Sequence, residues 1–357
     1  MRIGLICPYS LTHPGGVQGQ VLGLARKLRS AGYFTRVLGP CDGPPPDSGV
    51  TPLGDSIPTA ANGSMAPIAP DVPCALRTIR ALRDEDFDIV HLHEPLAPGP
   101  TVTTLFLAQT PMIGTFHAAG GSLAYDLLAP PLRWLRSRLA KSFAVSDDAA
   151  EMARSSLGGN YDVVFNGVEI DRCMSTDPWP TQGPTIFFVG RHEPRKGLAV
   201  LVEAMSRMPP DVRLWIASDG PETHRLAAEV AGDPRIEWLG RIDESEKLSR
   251  IRGADILCAP SLRGESFGVV LLEGMACGTP VVASDISGYV GVARGGLDAV
   301  LVPPGDAASL ATALREVLLN PDLAEKLQTS GHVRAEQFSM RRLADFYVKA
   351  YEDVLSV

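Results

Sequence analysis

Short apolar runs of four to six residues, rich in Ile, Val, Leu and Phe, recur along the chain and alternate with longer stretches of helical period. Such runs, bounded by Gly, Pro or Asp, read as buried strands, whereas apolar residues at i, i+3, i+4 and i+7 read as amphipathic helices. The first half predicts strands at 2–7, 35–38, 89–92, 112–115, 142–145 and 162–165. The second predicts them at 185–189, 212–217, 236–239, 256–259, 280–283 and 299–302. Helices are predicted between them, at 17–31, 198–208, 222–230, 244–252, 269–276 and 307–320. Alternation of this kind means a parallel sheet with helices on both faces. The pattern restarts in the second half, and Pro178, Pro180 and Pro184 interrupt it near 166–184. The expected architecture is therefore α/β, with two doubly wound, Rossmann-like parallel-sheet domains facing a central cleft. Residues 1–168 would form the first and 169–340 the second, with a last helix, about 341–357, crossing back. Ligands of such sheets bind beyond the carboxyl ends of the strands. The stretch 42–73 holds eight prolines and little periodicity. It reads as a loop, either plain surface or shaped for an acceptor.

Composition narrows the function more than the fold. At 357 residues the chain can bury two cores. A formal charge of −8 argues against broad nucleic-acid binding. The charge is uneven, with 13 basic and 14 acidic residues in 1–168 against 20 and 27 in 169–357. The six cysteines show no CxxC spacing, which predicts reduced thiols in a cytoplasmic protein and no zinc. No run of 18 apolar residues offers a membrane span, and residues 1–7 read as a first strand, too short for a signal-peptide core.

The most informative run is Glu265-Ser266-Phe267-Gly268-Val269-Val270-Leu271-Leu272-Glu273. A helix begins within it, so its free N–H groups are available to phosphate while the two carboxylates can accept from hydroxyls. A nucleotide-sugar has that layout, although two glutamates at this spacing also suit a solvated helix face. Arg191 and Lys196 flank the start of another predicted helix, at the end of the strand 185–189. Two cations there make a diphosphate receptor, able to stabilise a departing nucleoside diphosphate without a metal ion; the alternative is a basic surface turn. Gly15 and Gly16 follow the first strand, where they allow close approach of backbone to a phosphate or sugar, or simply make a turn. GxGxxG is absent. His117 ends an apolar strand and suits either a substrate contact or a satisfied core histidine. His91 and His93 share a strand face, but no third ligand is apparent, so no metal is expected. Arg77, Arg80 and Arg83 alternate with Leu76, Ile79 and Leu82, and Arg133, Arg136, Arg138 and Lys141 form a second basic stripe. Each reads as an ordinary surface helix or as one lying on anionic lipid.

Together the glycine pair, Thr115-Phe116-His117, Ala144-Val145-Ser146, Asn166-Gly167-Val168, Gly190-Arg191 with Arg195-Lys196-Gly197, the Glu265/Glu273 element and Gly278-Thr279-Pro280 resemble glycosyltransferase family 4, retaining enzymes of the two-domain GT-B fold. The opening segment, Asn62-Gly63-Ser64 and His91-Leu92-His93-Glu94-Pro95 look most like the bacterial phosphatidylinositol mannosyltransferases within it. The resemblance implies an acceptor-binding first domain and a donor-binding second one. It implies GDP-mannose as donor substrate, no cofactor, and phosphatidylinositol or an anionic membrane surface as partner, on the inner face of the cell membrane. Arg191 and Lys196 would hold the diphosphate, Glu273 the ribose, and Glu265 with Ser266, Phe267 and Gly268 the mannose and phosphate. Glu244 and Lys247 would line the nucleoside pocket, Gly15 and Gly16 would close over the diphosphate, and His117 would contact the transferring sugar. Tyr9, Gln18, Asn62 and Ser64 would lie on the inositol side. Departures from the family pattern fall on the acceptor side, at Ala61, Pro67, Ala69, Ala118 and Ser122. Other readings are a family member with another nucleotide-sugar or a soluble acceptor, a non-catalytic nucleotide-sugar binder, and an epimerase.

Overall fold

The computed structural model describes residues 1–61, 64–117 and 129–356. Contacts divide the chain into two units, 1–167 together with 340–357, and 168–339.

The first unit carries a seven-stranded, all-parallel sheet: β1 (Arg2–Ile6), β2 (Phe34–Gly39), β3 (Val50–Pro52), β6 (Ile89–His93), β7 (Met112–Phe116), β8 (Lys141–Ala144) and β9 (Asp162–Val163), in the order β3-β2-β1-β6-β7-β8-β9. The order reverses between β1 and β6, so the strand ends around Ile6 and His93 flank a crevice. Helices α1 (Gly16–Ser30), α2 (Val72–Glu85), α3 (Pro100–Leu107), α4 (Ala129–Arg136) and α5 (Asp147–Leu157) connect them. Strand alternation sends Ile6, Val90, Leu92 and Phe116 to one core, and Ile3, Leu5, Ile89 and Ile113 to the other. The second core is closed by the C-terminal helix, Met340–Leu355, through Leu343, Tyr347 and Tyr351.

The second unit repeats the plan with six parallel strands: β10 (Thr185–Val189), β11 (Arg213–Ala217), β12 (Ile236–Gly240), β13 (Ile256–Ala259), β14 (Val281–Ser284) and β15 (Val300–Val302), ordered β12-β11-β10-β13-β14-β15. This is the 3-2-1-4-5-6 order of the dinucleotide-binding fold, with its switch point between β10 and β13. The helices that bear on function are α6 (Ile170–Ser175), α7 (Leu198–Met205), α8 (Thr223–Glu229), α9 (Glu244–Gly253) and α10 (Val269–Ala276).

One expectation is corrected. The stretch 42–73 is not a bare loop: β3 pairs in parallel with β2, and β4 (Ile57–Ala61) and β5 (Ser64–Ile68) form an antiparallel hairpin. Its prolines hid this, because an isolated hairpin is all edge and tolerates Pro58 opposite Pro67, as an inner strand would not. All six cysteines are buried free thiols.

Candidate active site

In the second unit the site residues collect at the switch point. After β10 the chain runs through a 3₁₀ turn, Pro194–Lys196, into α7. Lys196 Nζ lies 2.6 Å from Glu265 Oε1, and Arg195 Nη1 lies 3.6 Å from the same oxygen. Ser261 donates to that oxygen at 3.0 Å, and the buried Tyr289 hydroxyl donates to Ser261 at 2.9 Å. Burial and the adjacent Glu265 carboxylate push the Tyr289 phenol up, so it stays a donor. Glu193, buried between two arginines, takes Arg191 Nε at 3.1 Å and Arg195 Nε at 2.8 Å. That fixes the guanidinium planes. It also leaves the Lys196 ammonium as a strong donor beside a carboxylate that can accept sugar hydroxyls.

Gly268 caps α10 at φ +88°, and a Cβ there would approach the Tyr289 ring to 2.7 Å. Only glycine combines that left-handed turn with that contact, and no side chain caps the helix, so its first N–H groups remain available. Five residues on, Glu273 Oε1 meets Lys247 Nζ at 2.9 Å, and Lys247 also meets Glu244 Oε2 at 2.9 Å. Burial opposes the Lys247 charge, but Glu273 and Glu244 together outweigh it and hold the ammonium above its ordinary value. Glu265 and Glu273 are thus not one carboxylate pair. Each is tied to its own lysine, at the two ends of one element. Ser266 and Phe267 lie between, with Phe267 edge-on to Phe338 at 5.7 Å.

In the first unit Gly15 is the extended N-cap of α1, and a Cβ on it would run into the Gln18 amide. A Cβ at Gly16 would meet open space, and α1 too lacks a side-chain cap. Gln18 is buried and donates to the Ser10 carbonyl at 3.3 Å, while Tyr9 bridges Ile68 of the hairpin. Asn62, Ala118 and Ser122 lie outside the described residues. Ser64 and Ala61 sit on the hairpin strands β5 and β4.

His117 follows β7 and is buried. Its backbone N–H donates to Glu94 Oε1 at 2.6 Å, its Nε2 lies 2.9 Å from His93 Nδ1, and Asn166 hydrogen-bonds the ring. Burial pushes its imidazole down to about 3, against a weaker upward pull from Asn166. His91 is likewise held neutral, down to about 3, and sits 2.8 Å from both Tyr351 Oη and Thr115 Oγ1. Among the described residues no group of three His, Cys, Asp or Glu is arranged for a metal ion. Sequence reasoning missed Glu193, Arg195, Ser261 and Tyr289 as supports, and Glu94 and Asn166 around His117. The dense GRHEPRKG and HLHEP runs, each mixing charge with a strand end, and the Asn166-Gly167-Val168 run hold some of them, whereas Ser261 and Tyr289 stand in no such run.

The two basic stripes differ. The cations of α4 and beyond are spent within the fold: Arg133, Arg136 and Arg138 donate to the carbonyls of Ser156, Asn160 and Ala108, and Lys141 pairs with Asp353 at 2.9 Å. Helix α2 presents Val72, Leu76 and Ile79 to solvent, 70%, 62% and 40% exposed, beside the exposed Arg80 and Arg83, which both pair with Asp84 at 3.3 and 3.2 Å. No helix among the described residues is long and apolar enough to cross a membrane.

Two family models divide the chain between them. "Glycosyltransferase Family 4" matches residues 14–172 and "Glycosyl transferases group 1" matches 172–334. Phosphatidyl-myo-inositol mannosyltransferase of Mycobacterium leprae (strain TN) is 39% identical over 99% of this chain and 97% of its own length. The chain belongs to glycosyltransferase family 4. The enzyme of the same name from Mycobacterium tuberculosis is 38% identical over the same shares. Among solved structures, sucrose-phosphate synthase from Thermosynechococcus elongatus superposes with a TM-score of 0.77 at 21% identity, covering 99% of both chains. Anabaena HepE in complex with UDP and glucose gives 0.73 at 18%, covering 98% of this chain and 99% of its own. Those likenesses carry the fold, which is GT-B. As a family 4 glycosyltransferase, this chain holds its Lys196/Glu265 and Lys247/Glu273 pairs at the two ends of the element that begins α10.

Proposed function

We propose that this glycosyltransferase moves mannose from GDP-mannose to a hydroxyl of the inositol ring of phosphatidylinositol, with retention of configuration. The observation that carries the donor half is the pair of lysine–carboxylate contacts around the N-terminus of α10. Arg191, Lys196 and that helix N-terminus would bind the diphosphate and stabilise the charge that builds as it leaves. Ligand phosphate competes with Glu265 for Lys196, and Glu265 so released accepts from mannose hydroxyls, while Glu273 and Lys247 serve the nucleoside. In a retaining displacement the leaving phosphate oxygen takes the acceptor proton on the face where the new bond forms, so no enzyme base is needed. The second unit is then the donor-binding domain, and the first, with His117, Tyr9 and Gln18, the acceptor-binding one.

The acceptor half is supported by the mycobacterial relatives' name and by α2, whose exposed apolar and basic residues suit the surface of an anionic bilayer on the cytoplasmic side. A soluble polyol is the second reading, favoured by the first-unit positions where the family pattern is broken. Ala69 is fully buried and Pro67 lies within the hairpin, so neither offers a cation to a lipid phosphate.

Transfer of radiolabelled mannose from GDP-mannose, with phosphatidylinositol vesicles or free inositol, tests both. Label in lipid, in α configuration by NMR, is expected. Binding of GDP-mannose with label only in a soluble product would replace the lipid acceptor, and labelling from UDP-glucose but not GDP-mannose would sink the donor assignment.

A further inference from the structure

Beyond the donor contacts, the first unit contains a buried aromatic stack of which the reaction as described uses only one end. His91 and His93 project from the same face of β6, with ring centroids 4.3 Å apart, and His93 stacks in turn on His117 at 5.2 Å. All three rings are buried. One end of the stack is clamped by the C-terminal helix. Tyr351 Oη lies 2.8 Å from His91 Nδ1, and Tyr347 Oη lies 2.9 Å from the Thr115 hydroxyl that contacts His91 Nε2. The other end is His117, the residue expected to meet the sugar.

A neutral imidazole carries one N–H and one bare nitrogen, so the shared 2.9 Å contact between His93 Nδ1 and His117 Nε2 has two possible directions. If His117 donates, His93 must carry its proton on Nε2. That atom is buried and has no hydrogen-bond partner among the described residues. A buried N–H without an acceptor costs more than a bare lone pair in the same place. The reverse direction leaves Nε2 bare, protonates His93 at Nδ1, and lets it donate to His117. His117 then accepts at Nε2 and carries its single proton on Nδ1.

We propose that His93 is a positioning residue, which holds His117 as the Nδ1–H tautomer in one ring plane and is itself held from the C-terminal helix through the stacked His91. The assignment rests on the proposed reaction only for its effect on transfer; the tautomer is a property of the free protein. Asn places a donor near the position of the imidazole Nδ1, so H93N keeps the bond to His117 and H93L removes it.

The test is long-range nitrogen–proton correlation on the full chain labelled at its histidines, at neutral pH and without substrate, with His117 identified from an H117Q sample. Wild type and H93N are expected to show His117 protonated at Nδ1 and bare at Nε2. In H93L the Nε2 signal moves to that of an unbonded nitrogen or the two tautomers mix. In parallel, H93L loses about 10- to 100-fold in kcat with little change in donor KM, and H93N regains most of it. Should H93L fail to fold, Y351F, which touches neither His93 nor His117, is expected to broaden or shift the His93 and His117 signals. A wild-type His117 protonated at Nε2, or a His117 signal unmoved in H93L, overturns the proposal; with H93L unfolded, signals unmoved in Y351F do the same. The expected tautomer together with no mannose transfer would leave the proposal standing and remove the substrate reading alone.

Discussion

Lys196 and Glu265 set the scale of what one residue can do here. Their 2.6 Å contact is only partly shielded, with the side chains 20% and 11% exposed. It therefore matters less for folding than for the charge it would hold at the proposed diphosphate site. K196A is expected to lower kcat by about 10²–10³-fold, in the range of a lost transition-state donor, with little change in melting temperature. A variant that lost only donor affinity, with kcat intact, would mean Lys196 holds the ground state alone. The buried histidines make a different prediction. The folded values of His91 and His117 lie near 3, well below the ordinary 6.5, so their stabilising contribution is complete above about pH 6.5. It is lost as the pH falls from there toward 3, by up to about 1.4 kcal/mol per pH unit for each ring. Amide protection in β6 and β7 should accordingly drop between pH 7 and pH 5, and equal protection at both would contradict neutral burial. At this scale the sequence was partly legible. Lys196, Glu265 and His117 stand in runs where charge follows a strand end, but Ser261, which donates to Glu265, and Tyr289, which donates to Ser261 from 28 residues away, carry no local signal.

At the scale of elements, α10 depends on its first residue. G268A puts a Cβ against Tyr289 at a left-handed φ and is expected to cost about 1–3 kcal/mol, read as a lower melting temperature, together with weaker GDP binding. An unchanged melting temperature would show that the turn relaxes freely. Helix α2 is the converse, an element whose exposed face contributes little to stability. The double change L76S/I79S should leave the unfolding free energy from urea titration within about 0.5 kcal/mol of wild type and weaken co-sedimentation with anionic vesicles. If vesicle binding persists, another surface meets the lipid. Strand and helix identities were readable almost throughout, because buried parallel strands are continuous apolar runs. The hairpin Ile57–Ala61 and Ser64–Ile68 was not, since a two-stranded ribbon needs no such run and admits proline.

For the whole molecule, the C-terminal helix is the informative element. It belongs to the first unit although 172 residues of the second separate it in sequence from Gly167. Leu343, Tyr347 and Tyr351 cover the core over β1, β6 and β7, and Tyr351 also satisfies His91. Removing residues 340–357 should abolish hydrogen-exchange protection in β1 and β6 while β10 and β13 keep theirs, and uniform loss would show that the two units fold as one. The sequence by itself determined the two parallel sheets, the charged runs at their strand ends, and the family, because hydrophobic period and short charged runs are local properties. The partners of those residues were decided only by the tertiary structure. Which lysine each glutamate meets, how three histidines stack, and which core the last helix closes all depend on distance in space, which a linear pattern does not encode.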